Sequence, residues 1–423
     1  MLLWVSFALA LTLDDAWLAT ESRGLDAAMI EEQYRMSATS RVAAWSLLSP
    51  KFVLRGSYTR NDEEITFDPN ALIPEEFASI LEPSEPLVMR KLSYFDASMS
   101  MVQPLFSPRS VATVVAAGQG TRAAAEDRDA QRSMLRAGVA RAFWGALVAR
   151  EAVAISGAAV ASAERHLDLA KRRVLAGSAS RQEELQAELA LSRARRDLAA
   201  AEESRSVTEN VLGGLTGWTG GADLEPPRPR MFPFESVEAA LAASLEGRPD
   251  VRAARFREAA SRTASVAQAL DWLPAIDGRF TYAWTENTSA FNDKTEFWMV
   301  VVESEWVLWD GGYRVSEQLR SNSQARLAAL ASRDAEDNAE QDVRATFLAA
   351  ERAGAAHQAA EREVALADEN ARLATVAFDA GSITFLDLED ARLGLLAARF
   401  AELQTRAQRE LAIVALLDAT GRL

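Results

Sequence analysis

Residues 373–421 open Leu-Ala-Thr-Val-Ala-Phe-Asp-Ala-Gly-Ser-Ile-Thr-Phe-Leu-Asp-Leu-Glu-Asp-Ala-Arg and close on Thr420-Gly421; they repeat residues 169–217 at a fixed shift of 204. Fourteen of the 49 aligned positions are identical, with no gap. Ala176-Gly177-Ser178 falls on Ala380-Gly381-Ser382, and Thr216-Gly217 on Thr420-Gly421. Ala187, Leu189, Leu191, Ala194 and Arg195 recur as Ala391, Leu393, Leu395, Ala398 and Arg399. Chance does not align a turn, an apolar seam and a terminus in one register, so the chain is an internal duplication.

The front of each half repeats as well, at a shift of 224. Ala16, Asp26, Pro50, Arg55 and Tyr58 fall on Ala240, Asp250, Pro274, Arg279 and Tyr282. The change of shift places about 20 extra residues in the first half, after Tyr58, in a stretch carrying Pro69, Pro74, Pro83 and Pro86, a loop signature. Each half therefore reads as helix, strand, loop, strand, long helix, turn, helix. Between the halves, Gly220-Gly221, Pro226-Pro227, Pro229 and Pro233 mark a linker that no helix interior tolerates.

From Arg314 to Phe378 there is no proline and one glycine, Gly354, among strong helix formers. At 1.5 Å per residue such a helix would reach roughly 95–100 Å, far beyond a globular helix. The first half matches it over Val111–Leu175. In the helix that follows, Leu386, Leu393, Phe400, Ala407 and Val414 fall seven apart. Leu396, Leu403 and Leu417 fill the companion row, with Glu410 the exception, which is coiled-coil spacing. Gly177 and Gly381 suit the left-handed end of a helix, and Ser180-x-x-Glu183 and Thr384-x-x-Asp387 read as capping boxes opening the next.

The strands have two faces. Ile276, Gly278, Phe280, Tyr282 and Trp284 alternate with Asp277, Arg279, Thr281 and Ala283. Phe297–Leu308 carries Trp298, Val300, Val302 and Trp306 on one parity, opposite Glu303 and Glu305. Phe52–Thr59 and Ser93–Gln103 repeat the pattern more weakly. Five of the ten tryptophans lie between Trp272 and Trp309; Trp284, Trp298, Trp306 and Trp309 suit the aromatic girdles of a membrane strand. Four strands cannot close a barrel, so their edges call for other copies.

Composition narrows the function. The net charge is −15, from 61 acidic against 46 basic residues, which opposes nucleic-acid binding. There is no cysteine, so disulfides, thiolate chemistry and cysteine-bound zinc are excluded. The two histidines, His166 and His357, are not repeat equivalents, and His357 sits in register with Val343, Ala350 and Val364 as a packed seam residue. No nucleophile, metal or dinucleotide constellation and no phosphate loop appears, so no enzyme and no cofactor is expected. No uninterrupted apolar run reaches 18 residues, which argues against a spanning helix.

With these residues in view, the chain resembles the TolC-like outer-membrane factor family over nearly all its length. The resemblance rests on Phe378-x-x-Gly381, Asp387-x-x-Asp390-Ala391 and Thr420-Gly421, with Leu308-Trp309-Asp310-Gly311-Gly312 after the last strand. Leu11-Thr12-Leu13-Asp14-Asp15-Ala16 and the prolines at 50 and 274 also fit. It implies a mainly α fold with β-strands and a homotrimer in outer-membrane lipid of a Gram-negative bacterium. Twelve strands would form the barrel, continued by a periplasmic α-helical tunnel. It further implies a periplasmic adaptor and an inner-membrane pump as partners, in efflux or type I secretion. By the same resemblance Asp387 and Asp390 form a cation-binding pore constriction, although Asp387 also reads as a capping acid and Asp390 as a first-turn acid favoured by the helix dipole. The family's tyrosine, arginine and aspartate gate links fall on Phe378, Ile383 and Glu183, which cannot form them; Gln186 stands opposite Asp390. Arg181 and Gln182 are the polar residues at hand to substitute. The alternative is a soluble coiled-coil scaffold of the cell envelope.

The expected division is 1–10, a candidate signal peptide of atypical form; 11–217, the first repeat; 218–235, an equatorial linker; and 236–423, the second repeat. Strands are expected at about 51–67, 92–105, 275–286 and 296–308, and long helices at about 110–176, 181–216, 314–378 and 385–419.

Overall fold

The structure, a computed structural model, describes residues 10–72, 85–178, 180–218, 223–288 and 294–423. The candidate signal peptide, Pro74, Pro83 and Gly220-Gly221 lie outside the described residues, save Ala10 of the first. The first half runs β1 (Ala10–Leu11), α1 (Leu13–Arg23), α2 (Leu25–Ser46), β2 (Lys51–Arg60), β3 (Ile65–Phe67), β4 (Leu87–Arg90), β5 (Ser93–Phe106), α3 (Pro108–Leu175) and α4 (Arg181–Thr216). The second runs β6 (Asp223–Leu224), α5 (Val237–Gly247), α6 (Pro249–Ala269), β7 (Ala275–Thr285), β8 (Glu296–Glu305), α7 (Tyr313–Asp379) and α8 (Phe385–Ala419).

Three details differ from the sequence expectation. The helix ahead of each strand pair is two helices. Gly24 breaks the first, where a Cβ would come within 2.3 Å of the Thr20 carbonyl oxygen; Pro249 breaks the second by holding Arg248 extended at ψ 120°. The strand expected over 51–67 stops at Arg60. Asn61 turns the chain by donating its amide to the Leu92 carbonyl at 2.7 Å, and β3 pairs instead with β4 in a separate two-stranded sheet. The last strand ends at Glu305, short of Trp306. One further expectation is corrected. α3 does hold an 18-residue stretch long and apolar enough to cross a membrane by composition alone, because its alanines and glycines dilute the charges without an unbroken apolar run; only 22% of that stretch is buried within the chain.

The chain forms two compact units. One comprises residues up to Met36 with Ala123–Arg255 and Ala331–Leu423, and it is helical. Its two cores are the repeat made solid. Val139, Phe143, Ala146 and Leu212 of the first correspond at the 204 shift to Val343, Phe347, Ala350 and Leu416 of the second; Ala16 corresponds to Ala240 at 224. Each buried phenylalanine or leucine contributes about 1.5–3 kcal/mol of transfer energy, so each half carries its own hydrophobic anchor. The exceptional Glu410 of the α8 seam is buried here. It accepts the Arg230 amide at 3.2 Å and the Arg409 guanidinium at 2.6 Å, fastening the linker to α8. His357 is buried with Glu361 at 3.5 Å and Glu402 at 3.6 Å.

The other unit, Ser37–Arg122 with Phe256–Leu330, holds a four-stranded antiparallel sheet in the order β2-β5-β7-β8. Its register aligns every apolar parity. Leu54 lies opposite Met99, Met99 opposite Tyr282, and Tyr282 opposite Trp298. Phe52, Met101, Phe280 and Val300 form the next row. The opposite face carries Arg55, Ser98, Ser100, Arg279, Thr281 and Glu303. One continuous apolar face and one mixed face result, the second interleaving these polar residues with Val53, Val102, Met299 and Val301. Among the described residues both outer strands keep a free edge in the single chain.

Candidate functional site: hairpin tips and the sheet face

The tips are built locally. Gly177 and Gly381 take φ 70° and 73°, a left-handed conformation that favours glycine. The amide of Ser178 donates to the Arg173 carbonyl at 2.9 Å and that of Ser382 to Ala377 at 2.8 Å, closing both helices by the same six-residue motif. The next helices start differently. Thr384 and Asp387 make the full reciprocal capping box. Ser180 caps α4 through the Glu183 amide, but the Glu183 carboxylate turns away to the Arg173 guanidinium at 2.7 Å, so that box is only half formed.

Asp387 Oδ2 accepts both the Thr384 amide, at 2.8 Å, and its hydroxyl, at 2.6 Å. These bonds hold its carboxyl below the ordinary aspartate range, so it stays ionised. Asp387 and Asp390 are exposed and line one groove of about 500 Å³ with Ile383, Leu373, Asn370 and Ala377. Phe378 is half-buried beside the turn and gives its carbonyl to Gly381; Gln186 is exposed on the other hairpin. Arg181 pairs with Glu184 of its own helix rather than reaching a neighbouring one.

Sequence reasoning passed over Glu389. It points away from the two aspartates and is buried against α3, where Ser162 donates to it at 3.0 Å and Arg165 at 2.6 Å. Arg392 adds a contact at 3.2 Å. Burial pushes its pKa up, but the bonds from Arg165, Ser162 and Arg392 outweigh burial and leave it below the usual glutamate range. The available signal was a carboxylate where the repeat has Leu185. Two other ion pairs are repeat equivalents, Arg195–Glu164 at 2.8 Å and Arg399–Asp368 at 3.2 Å, each tying the two helices of one hairpin together.

A depressed carboxylate stabilises the fold above its unfolded pKa, near 4.3, and loses that contribution as pH falls through its folded value. Glu389→Gln is therefore expected to cost about 1–2 kcal/mol at pH 7, discounted because Arg165 and Arg392 are half exposed. The difference from the unsubstituted chain should shrink towards zero below about pH 4. Thermal unfolding followed by circular dichroism at both pH values checks this.

At the sheet, Trp284 pairs with Glu296 beside the 286–295 connection, and Trp298 lies next to it on the apolar face. Trp306 and Trp309 follow the other end of β8; both are exposed, and the Trp306 indole donates to the Trp272 carbonyl at 3.1 Å. Eight residues separate Trp298 from Trp306, seven of the steps within β8, which at about 3.3 Å per residue carries the chain roughly 23 Å before Trp306. Arg314 anchors the sheet's exit. It pairs with Asp310 at 2.8 Å and stacks over Trp272 at 4.5 Å, while Gly311 and Gly312 at φ 72° and 92° allow the turn.

Comparison with known proteins bears on this arrangement. The sequence profile described as Outer membrane efflux protein matches residues 30–218 and again 240–422. No match is found among curated proteins. Among solved structures, the CmeC outer membrane channel of Campylobacter jejuni aligns with a TM-score of 0.77 at 15% identity, covering 97% of this chain and 85% of that one. The outer membrane protein VceC of Vibrio cholerae aligns at 0.73 with 18% identity, covering 97% and 96%. The open-state MtrE outer membrane channel of Neisseria gonorrhoeae aligns at 0.74 with 20% identity, covering 97% and 88%. Identities this low establish the fold, and the profile spans both repeats, each with its own hairpin, core and strand pair. The chain belongs to the outer membrane efflux protein family.

Proposed function

We propose that this outer-membrane efflux channel works as a homotrimer, a passive exit duct that receives cargo from an inner-membrane pump through a periplasmic adaptor. The observation that carries the trimer is the sheet. Its apolar face is contiguous and exposed, with Phe52 62%, Leu54 80%, Trp298 68%, Val300 59% and Val302 66% accessible. Such a run of large apolar side chains calls for a lipid or protein partner, and the two edges need partners. β8 of one copy beside β2 of the next continues the antiparallel order. Three such joints give twelve strands and abolish the edges. Trp284 and Trp298 then belong to one interfacial girdle, and Trp306 and Trp309 to the other. The acidic pair Asp387/Asp390, brought together three times, supplies six carboxylates at the periplasmic constriction, a ring of the kind that favours cations. Phe378, Ile383, Glu183 and Gln186 belong to the same gate region.

Protein produced in a Gram-negative host should fractionate with the outer membrane, require detergent, and show three times the subunit mass by light scattering. Reconstituted into planar bilayers, it should conduct ions. A monodisperse, detergent-free monomer would instead support the scaffold reading.

A further inference from the structure

His357 sits between the two helices of the second hairpin and makes a chemical demand that a neutral ring cannot meet. The residue is buried on α7, 9% exposed. Its Nε2 lies 3.5 Å from Oε1 of Glu361, one turn further along α7, and its Nδ1 lies 3.6 Å from Oε1 of Glu402 on α8. Nδ1 is buried without a hydrogen-bond partner. A neutral imidazole carries one N–H, so it donates to one of these carboxylates and turns a lone pair on the other; only the imidazolium donates to both. The acids approach opposite nitrogens, a geometry for a proton on each rather than for one metal ion between them.

The neighbouring cations are engaged elsewhere. On α8, Arg399 and Arg406 stand one turn either side of Glu402, but Arg399 pairs with Asp368 at 3.2 Å and Arg406 donates to the Pro227 carbonyl at 3.0 Å. On α7 the other residues one turn from His357 are Ala353, Gly354 and Ala360. Among the described residues, Glu361 and Glu402 are the charged groups that face the ring. The duplication supplies an internal control. The other polar link of this hairpin, Asp368–Arg399, has its counterpart in Glu164–Arg195 of the first. The histidine link has none: at the 204 shift His357, Glu361 and Glu402 become Val153, Gly157 and Leu198, which do not titrate.

We infer that His357 is a pH-sensitive clasp built into the second hairpin alone: proton uptake ties α7 to α8 through Glu361 and Glu402, and proton loss releases the tie. The added stabilisation exists only while the ring is charged, so it is present in acid and lost as pH rises. Twenty-four residues separate His357 from Gly381, about 36 Å of helix. The clasp thus grips, well above its turn, the same hairpin that carries Asp387 and Asp390 at its tip.

Hydrogen–deuterium exchange of the full-length protein in detergent, read by mass spectrometry, tests this. Comparing variant with parent at one pH cancels the pH dependence of the exchange chemistry itself. At about pH 5.5, His357→Gln should exchange about three- to fivefold faster than the parent in peptides covering 353–361 and 398–406, the gain that two partly exposed ion pairs supply. At about pH 8 the two chains should exchange alike there. Peptides covering 149–157 and 194–202 of the first hairpin should not differ at either pH. Glu402→Gln, which keeps the histidine and the shape of its partner, should show the same loss in acid only. An equal difference at both pH values would make His357 a packing residue, and no difference in acid would mean that no clasp forms; either result overturns the inference. If His357→Gln loosens the whole helical unit, Glu402→Gln decides on the same two outcomes. The clasp lies within one chain, so its failure leaves the channel reading standing.

Discussion

Val302→Arg should remove most of the assembled channel from the outer membrane, whereas Thr281→Arg should leave it in place. Val302 lies between Trp298 and Trp306 on the apolar parity of β8 and faces away from the chain, opposite Gly278 of β7. A guanidinium at mid-depth on a lipid-facing strand costs about 2–4 kcal/mol, and a trimer pays it three times. Thr281 lies on the opposite, mixed face, in register with Ser100 and Met299, which in the proposed barrel lines the water-filled interior, where a long charged side chain is tolerated. The comparison holds charge constant and changes only the face. Reversible urea unfolding from lipid or detergent micelles gives the energy, and the heat-modifiable band on a denaturing gel gives the assembled fraction. If Thr281→Arg were the damaging one, the faces would be assigned the wrong way round.

The second large effect concerns the acidic tip. Replacing Asp387 and Asp390 together by Asn should raise the concentration of a trivalent cation needed for half blockade from the periplasmic side by at least about tenfold, equivalent to about 1.4 kcal/mol of binding. Asn is the better substitution than Ala because its side-chain oxygen can still accept the Thr384 amide; losing that cap altogether costs about 1 kcal/mol and would confuse a gating defect with an unravelled helix start. The two positions should also differ. Asp387 commits Oδ2 to two bonds from Thr384, so Asp390→Asn alone should account for the larger part of the effect. Blockade in planar bilayers that is identical for the double variant and the parent chain would return both residues to helix capping.

Local and periodic features of this protein were legible in its sequence. Gly177 and Gly381 announce their turns because the left-handed conformation is decided within one residue, and the strand faces announce themselves because the pleat has a period of two. The duplication marked each hairpin turn because the same Ala-Gly-Ser occurs at both, Ala176-Gly177-Ser178 and Ala380-Gly381-Ser382. Interactions assembled from distant segments were not legible. Glu389 looks like another surface acid of a first turn until Ser162 and Arg165, more than 220 residues earlier, arrive beside it. Glu410 looks like a defect in the seam until the linker offers it the Arg230 amide. The Glu183 carboxylate matched a capping box by spacing, yet an arginine across the turn attracts it more strongly than the backbone of Ser180 does. Spacing reports what a residue can reach along the chain, and competition from elsewhere in space decides what it takes.

The sheet register has a kinetic consequence. Arg173 and Glu183 close the first hairpin across 10 residues, whereas Asp96 finds Thr285 of β7 across 189. Short loops close quickly and cheaply; distant strand pairing has to wait for the loop-closure entropy to be offset. The helical hairpins should thus be formed while β5 and β7 are still searching for each other. Even a correctly paired sheet then presents two unsatisfied edges until another chain brings its own. In the proposed trimer, strand completion is the last and intermolecular stage of biogenesis, so its rate should rise with the local concentration of subunits at the membrane.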